Sequence, residues 1–277
     1  VRRQFKIVEG DPFNPREIRE SAERVRALGF FSNADVQARE GSSSDQVIVD
    51  VDLEETTTGS LTFGGTYSSA TGPGAIIKYS ESNFLGRGQR LGLAVTTGVD
   101  NREYSLNFTE PAFRGRDLQV GCVASFVETD NQNAVYDTTR GRFRPSFEFP
   151  VSENGRMQLR YTFDMNEMTD LGANAGALVT AEVARGKEFS NSIGYTYSYD
   201  TRRTGLNPNA GVLLEFGQDI GGLTTGDQFV KSTAKAIAQT KVLNEEVTLR
   251  VSLEGGSLNY LSGSSRSTDR FFMGSNI

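Results

Sequence analysis

From Gly59 onward, apolar and polar residues alternate almost without interruption, in segments of about ten residues separated by Gly, Asn, Asp and Ser clusters. A period of two sends successive side chains to opposite faces of a strand. Leu61, Phe63, Gly65 and Tyr67 alternate with Thr62, Gly64, Thr66 and Ser68. Leu91, Leu93, Val95 and Val99 form a second such face, and Tyr104, Leu106 and Phe108 a third. The pattern continues through Leu118–Phe126, Phe143–Phe149, Met157–Met165, Phe189–Tyr199, Val212–Phe216 and Val247–Leu253. About eleven strands are expected, with no helical stretch of comparable strength between them. Most exceed the usual sandwich strand of about five or six residues. The polar faces mix Arg, Glu and Asp with Thr, Ser and Gly, as a wet lumen allows. These features favour an antiparallel transmembrane β-barrel over a soluble β-fold of the same period. Eleven is an odd count, and an open edge in lipid leaves backbone groups unsatisfied. The last residues, Phe271-Phe272-Met273-Gly274-Ser275-Asn276-Ile277, read as an interrupted loop, so the barrel is expected to be incomplete.

Residues 1–55 have a different character and are expected to form a small α+β domain, with 56–277 the N-terminal part of the barrel. Asn14 is a good N-cap, Pro15 suits the first helical position, and Glu17 completes a capping pattern. Ile18, Ala22, Val25 and Leu28 recur along one helical face, and Gly29 stands where a C-cap glycine would. Two strands are expected at Ala34–Glu40 and Val47–Leu53, joined by Gly41-Ser42-Ser43-Ser44-Asp45. So small a module is not very stable alone, and residues before Val1 are expected to complete it.

Composition removes several kinds of chemistry. The 277 residues contain no histidine, which excludes a Ser-His-Asp triad, a Cys-His pair and nearly all zinc sites. The lone Cys122 falls on an apolar face and reads as a packing residue. A net charge of -6 disfavours a broad nucleic-acid surface. No uncharged apolar run approaches the length of a membrane helix. Gly86-Arg87-Gly88 starts a G-x-G, but Leu91 breaks the dinucleotide fingerprint, leaving a tight turn. Glu54-Glu55 reads as a solvated edge, and the sequon Asn107-Phe108-Thr109 lies inside a strand. Arg140, Arg142 and Arg144 alternate, as wet lumen-facing side chains or an anion path would. Arg266, Asp269 and Arg270 fit lumen-facing loop charges and ordinary surface charges equally well. No catalytic, cofactor or metal site is expected, and the chain does not read as an enzyme.

The order of the modules adds to this. Phe5-Lys6-Ile7-Val8-Glu9-Gly10-Asp11-Pro12-Phe13, followed by a helix ending Leu28-Gly29-Phe30-Phe31, resembles a polypeptide-transport-associated (POTRA) domain whose opening strand would precede Val1. Thr58-Gly59-Ser60, Asn83-Phe84-Leu85-Gly86, Glu110-Pro111-Ala112-Phe113, and Asp200-Thr201-Arg202-Arg203 with Asn207-Pro208-Asn209-Ala210-Gly211 follow in order. Each motif is weak alone. In this order and spacing they resemble the outer-membrane assembly superfamily along essentially the whole chain. The resemblance implies a protein that inserts other β-barrels into the bacterial outer membrane, with its N-terminal domain in the periplasm. It implies nascent outer-membrane proteins, accessory lipoproteins and the lipid bilayer as partners. It also implies a lateral gate, whose first strand would be Leu61, Thr62, Phe63, Gly64, Gly65, Thr66, Tyr67 and Ser68. At that edge, unpaired N–H and C=O groups would accept a nascent strand. Gly59, Gly64 and Gly65 either weaken this strand or suit its curvature. The alternatives are a two-partner secretion or autotransporter-assembly pore of the same architecture, and a soluble β-rich binding protein.

Overall fold

The computed structural model describes residues 1–43, 46–68, 72–130, 135–202, 210–243 and 246–271. Ser44, Asp45, Arg203, Asn207–Asn209 and Phe272–Ile277, all named above, lie outside the described residues.

The chain divides into two compact units. The first comprises residues 1–60 and 80–90, the second residues 61–79 and 91–277. In the first, helix α1 spans Pro15–Arg26. Asn14 caps it: its side chain accepts the Arg16 N–H at 3.1 Å and donates to Glu17. The buried face is Ile18, Ser21, Ala22 and Val25, and the helix packs on strand β1 (Phe31–Glu40), where Ala34 is buried. The helix ends three residues before Gly29, so Leu28 lies beyond it. Leu28 and Gly29 donate to Val25 and Arg26 in a tighter turn, and Gly29, at φ +69°, redirects the chain into β1. Strand β2 (Val47–Glu55) pairs antiparallel with β1, placing Val36 opposite Val51 and Phe31 opposite Glu55. Both strands outrun the apolar alternation, because ladder bonds continue through their polar ends.

The remaining strands are β3 (Gly59–Ser68), β4 (Gly72–Phe84), β5 (Gln89–Gly98), β6 (Asn101–Glu110), β7 (Gln119–Thr129), β8 (Asp137–Pro150) and β9 (Gly155–Thr169). Helix α2 (Ala177–Ala184) follows, then β10 (Glu188–Asp200), β11 (Gly211–Gly221), β12 (Phe229–Val242) and β13 (Val247–Tyr260). The last eleven strands form one antiparallel sheet in strict sequence order, with β3 and β13 at its edges; the sheet is not closed. The expected count of eleven is met. Helix α2 was not anticipated.

The faces of this sheet favour lipid over water. Register places Phe147, Leu159 and Tyr195 in one row and Phe143 opposite Phe163 in another. The aromatic and aliphatic residues of that face, Phe143, Phe147, Leu159, Phe163, Ile193, Phe216 and Leu253 among them, are exposed. The opposite face holds the buried polar residues Arg160, Thr162 and Ser192. A soluble fold would bury the rings and wet the charges. This sheet does the reverse, as a lipid-facing barrel wall must.

Candidate functional site

The candidate edge, Leu61, Thr62, Phe63, Gly64, Gly65, Thr66, Tyr67 and Ser68, lies in β3, which pairs with β4 at one end of the sheet. Alternation places Leu61, Phe63, Gly65 and Tyr67 on one face, and the three large side chains are 57%, 69% and 82% exposed. The glycines differ in their surroundings. A Cβ on Gly64 would lie 3.0 Å from Ile76 Cγ2, and one on Gly74 would lie 2.7 Å from the Thr97 carbonyl and 2.8 Å from Thr66 Oγ1. Packing therefore asks for glycine at position 74, where the obstacle is backbone, and crowds position 64 against a side-chain methyl. A Cβ on Gly65 would meet nothing within 4 Å, so sterics do not demand a glycine in the middle of this strand.

The root of β3 is bonded to the root of β4. The Thr58 hydroxyl donates to Glu81 Oε1 at 2.5 Å, and the Asn83 N–H donates to the same oxygen at 2.8 Å. The Ser82 N–H and hydroxyl both donate to the Thr58 carbonyl at 3.2 Å. Asn83 Oδ1 accepts the Gly88 N–H at 2.7 Å, closing the Asn83-Phe84-Leu85-Gly86 hairpin. Gly86-Arg87-Gly88 is the expected tight turn, with both glycines at positive φ.

A cleft of about 630 Å³ lies along the polar face. Arg140, Arg142 and Arg144 line it together from alternate positions of β8. Arg142 forms a bidentate pair with Asp164, at 2.7 and 3.2 Å, and Arg144 donates to the Thr162 hydroxyl. Arg160 reaches across β10 to Asp219 through two bonds of 2.8 Å. Register explains the reach: Gly194 stands between them, opposite both, and a Cβ there would lie 2.0 Å from Asp219 Oδ1.

The segment after β13 folds over this cleft. Arg266, only 2% exposed, donates to the carbonyls of Asn166 and Gly186. Its Nε sits 2.7 Å from Glu188 Oε2, an ion pair without an aligned hydrogen bond. The Glu182 carboxylate of α2 accepts from the Ser267 N–H and hydroxyl. Asp269 also lines the cleft and accepts from Tyr260, whereas Arg270 stays at the surface, bonded to Ser265. The two readings of these charges thus divide: Arg266 and Asp269 face inward and Arg270 does not. Asp200 and Arg202 close into a bidentate pair below β10, and Cys122 lies opposite Phe108 and Pro145 on the apolar face. Asn107-Phe108-Thr109 lies within β6, and Glu54 and Glu55 are exposed. Among the described residues, no group of three or more His, Cys, Asp or Glu is placed to hold a metal ion. Sequence reading missed Glu81, the Arg160–Asp219 pair and the Glu182 tie. Their partners lie 23, 59 and 85 residues away and meet only through strand register or loop return.

Comparison with known proteins places these elements. Residues 83–276 match the Omp85 superfamily domain, and residues 1–56 match the POTRA family described as surface antigen variable number repeat. The outer membrane protein assembly factor BamA of Nitratidesulfovibrio vulgaris is 25% identical over 99% of this chain and 34% of its own length. The chain therefore spans about a third of that relative. Among solved structures, BamA from Haemophilus ducreyi lacking POTRA domains 1–3 superposes with a TM-score of 0.71 at 18% identity, over 94% of this chain and 52% of that one. CdiB from Acinetobacter baumannii superposes with a TM-score of 0.58 at 13% identity, over 99% of this chain and 52% of that one.

Proposed function

The chain belongs to the Omp85 superfamily, and on that premise we propose that the protein containing it inserts β-barrel proteins into a bacterial outer membrane. One observation carries this reading. A relative named as an outer membrane protein assembly factor matches almost the whole chain, small α+β module and barrel sheet in the same order. The exposed apolar face supports residence in the outer-membrane bilayer. Residues 1–55 would then lie in the periplasm as the last POTRA domain, with 56–277 the first part of the barrel. Nascent outer-membrane proteins are the substrate, and accessory lipoproteins of the assembly complex are further partners. No chemical step is assigned. The work is strand addition: the N–H and C=O groups along Leu61–Ser68 accept a substrate strand once that edge is free, and the barrel wall holds both in register. Gly65, a glycine that packing does not require, keeps the edge weakly paired.

Depletion of the full-length protein tests this in its own cell. Folded porins, resolved from unfolded ones by heat-modifiable gel mobility, are expected to fall broadly while unfolded chains accumulate in the periplasm. Unchanged porins with loss of a single secreted protein would identify a dedicated secretion pore instead. Cysteines placed singly at Leu61, Phe63 and Thr66 should crosslink to a folding substrate. A complete lack of crosslinks at all three sinks the edge assignment.

A further inference from the structure

We propose that Glu81 is a positioning residue: it clamps the root of the first barrel strand and fixes the register of β3 at Gly59. The proposal rests on the strand-addition reading above and adds to it the place where the moving strand is held.

Phe30, just before β1, accepts the Thr56 N–H through its carbonyl at 3.0 Å. Two residues on, Thr58 is held from both sides: its hydroxyl by the Glu81 carboxylate, its carbonyl by Ser82. Glu81 also takes the Asn83 N–H, and Asn83 takes the Gly88 N–H. Hydrogen bonds therefore hold the connecting segment at two points, Thr56 to the small module and Thr58 to the root of β4 beside the β4–β5 hairpin. The second is centred on a carboxylate, and bonds to an ionised acceptor are stronger than neutral ones. Gly59 follows directly. A Cβ there would lie 2.6 Å from Glu81 Oε2, so the carboxylate occupies the space a side chain at this position would need.

The rest of β3 is held differently. The clamp is confined to the roots of the two strands, at Thr58 on one side and Glu81, Ser82 and Asn83 on the other. Beyond the root, Leu61, Phe63 and Tyr67 are exposed and a Cβ on Gly65 would meet nothing within 4 Å. A strand clamped at its root keeps its register there, where an incoming strand needs a fixed start.

The test is a double-mutant cycle in the full-length protein, read by amide hydrogen exchange and by porin folding in cells. Glu81→Ala should raise exchange at residues 56–61 at least tenfold, leave β8–β11 unchanged, and slow porin folding several-fold. Glu81→Gln keeps the accepting oxygen and should restore most of both. Gly59→Ala alone should raise exchange at the root less than Glu81→Ala does, because its methyl crowds Oε2 while Oε1 holds Thr58 and Asn83. In the Glu81→Ala background the same methyl meets no carboxylate and should add no further defect. If Gly59→Ala is as damaging without Glu81 as with it, or if Glu81→Ala leaves exchange at the root unchanged, the clamp is wrong and the assembly reading stands. If exchange at the root rises as expected while depletion leaves porins intact, the clamp stands and the assembly reading falls.

Discussion

Gly194 shows how much one residue decides on the polar face. Arg160 and Asp219 sit on strands separated by β10, and the row opposite both is occupied by a residue with no side chain. The gap lets a guanidinium and a carboxylate meet over the backbone, with 8% and 17% of their side chains exposed. Thr196 accepts a further N–H of the same arginine. A methyl group at position 194 would occupy the Asp219 carboxylate's place and force the pair apart. Removing one partner of such a pair leaves the other charge uncompensated, at a cost of about 3–5 kcal/mol. Asp219→Ala is therefore expected to lose about that much in equilibrium unfolding from detergent micelles. Gly194→Ala keeps both charges and only displaces them, so it should lose less. A Gly194→Ala protein as stable as the parent would mean that the pair relaxes elsewhere along the cleft.

Among the elements, the segment following β13 is tied down by bonds rather than by packing. Its sequence, Leu261-Ser262-Gly263-Ser264-Ser265-Arg266-Ser267, is short of apolar residues, and Leu261 itself is exposed. Arg266 and Glu182 tie it to β9, β10 and the loop between them, Arg185 bonds Ser264, and Gln228 bonds Leu261 and Ser262. Polar ties exchange readily with water, so such a segment opens at low cost once its anchor is gone. Arg266→Ala should make residues 261–271 cleavable by proteinase K at least tenfold faster, with the strands staying protected. Unchanged cleavage would show that the remaining ties suffice without it. The same element marks where sequence reading stopped. The strands were legible because a period of two over ten or more residues has few other meanings, and α1 because its cap, face and terminal glycine agree. Helix α2 was not: Ala177-Leu178-Val179-Thr180-Ala181-Glu182-Val183-Ala184 has no apolar stripe and two valines, and it lacks a side-chain cap. The candidate edge was placed by its position in the resemblance and by its glycines. Its clamp was not, because nothing local distinguishes Glu81 from any other strand glutamate.

At the scale of the whole molecule, the sheet is inside out by the standard of a soluble fold, and that inversion can be tested on a single strand. Along β9, Leu159 and Gln158 are adjacent. Leu159 lies in an apolar row with Phe147 and Tyr195, while Gln158 borders the polar cleft. Composition and hydropathy cannot tell the two sides apart, because both sit in the same alternating segment; only the solvent on each side does. If the outer face meets hydrocarbon, an arginine there loses hydration that the lipid cannot replace. The cost is about 2–4 kcal/mol near the bilayer midplane and falls toward the strand ends. On the cleft side a new cation stays wet. Leu159→Arg should therefore destabilise the full-length protein folded into lipid vesicles by about that amount, measured by urea titration of its heat-modifiable band. Gln158→Lys should change stability by less than about 1 kcal/mol, the usual range for an exposed charge. Arginines at Phe147 and Phe163, on the neighbouring β8 and further along β9, should repeat the large cost, whereas Ser125→Lys on the cleft side should repeat the small one. Equal costs on the two faces would mean that both see the same solvent, and a soluble β-fold would then be the better description of this sheet.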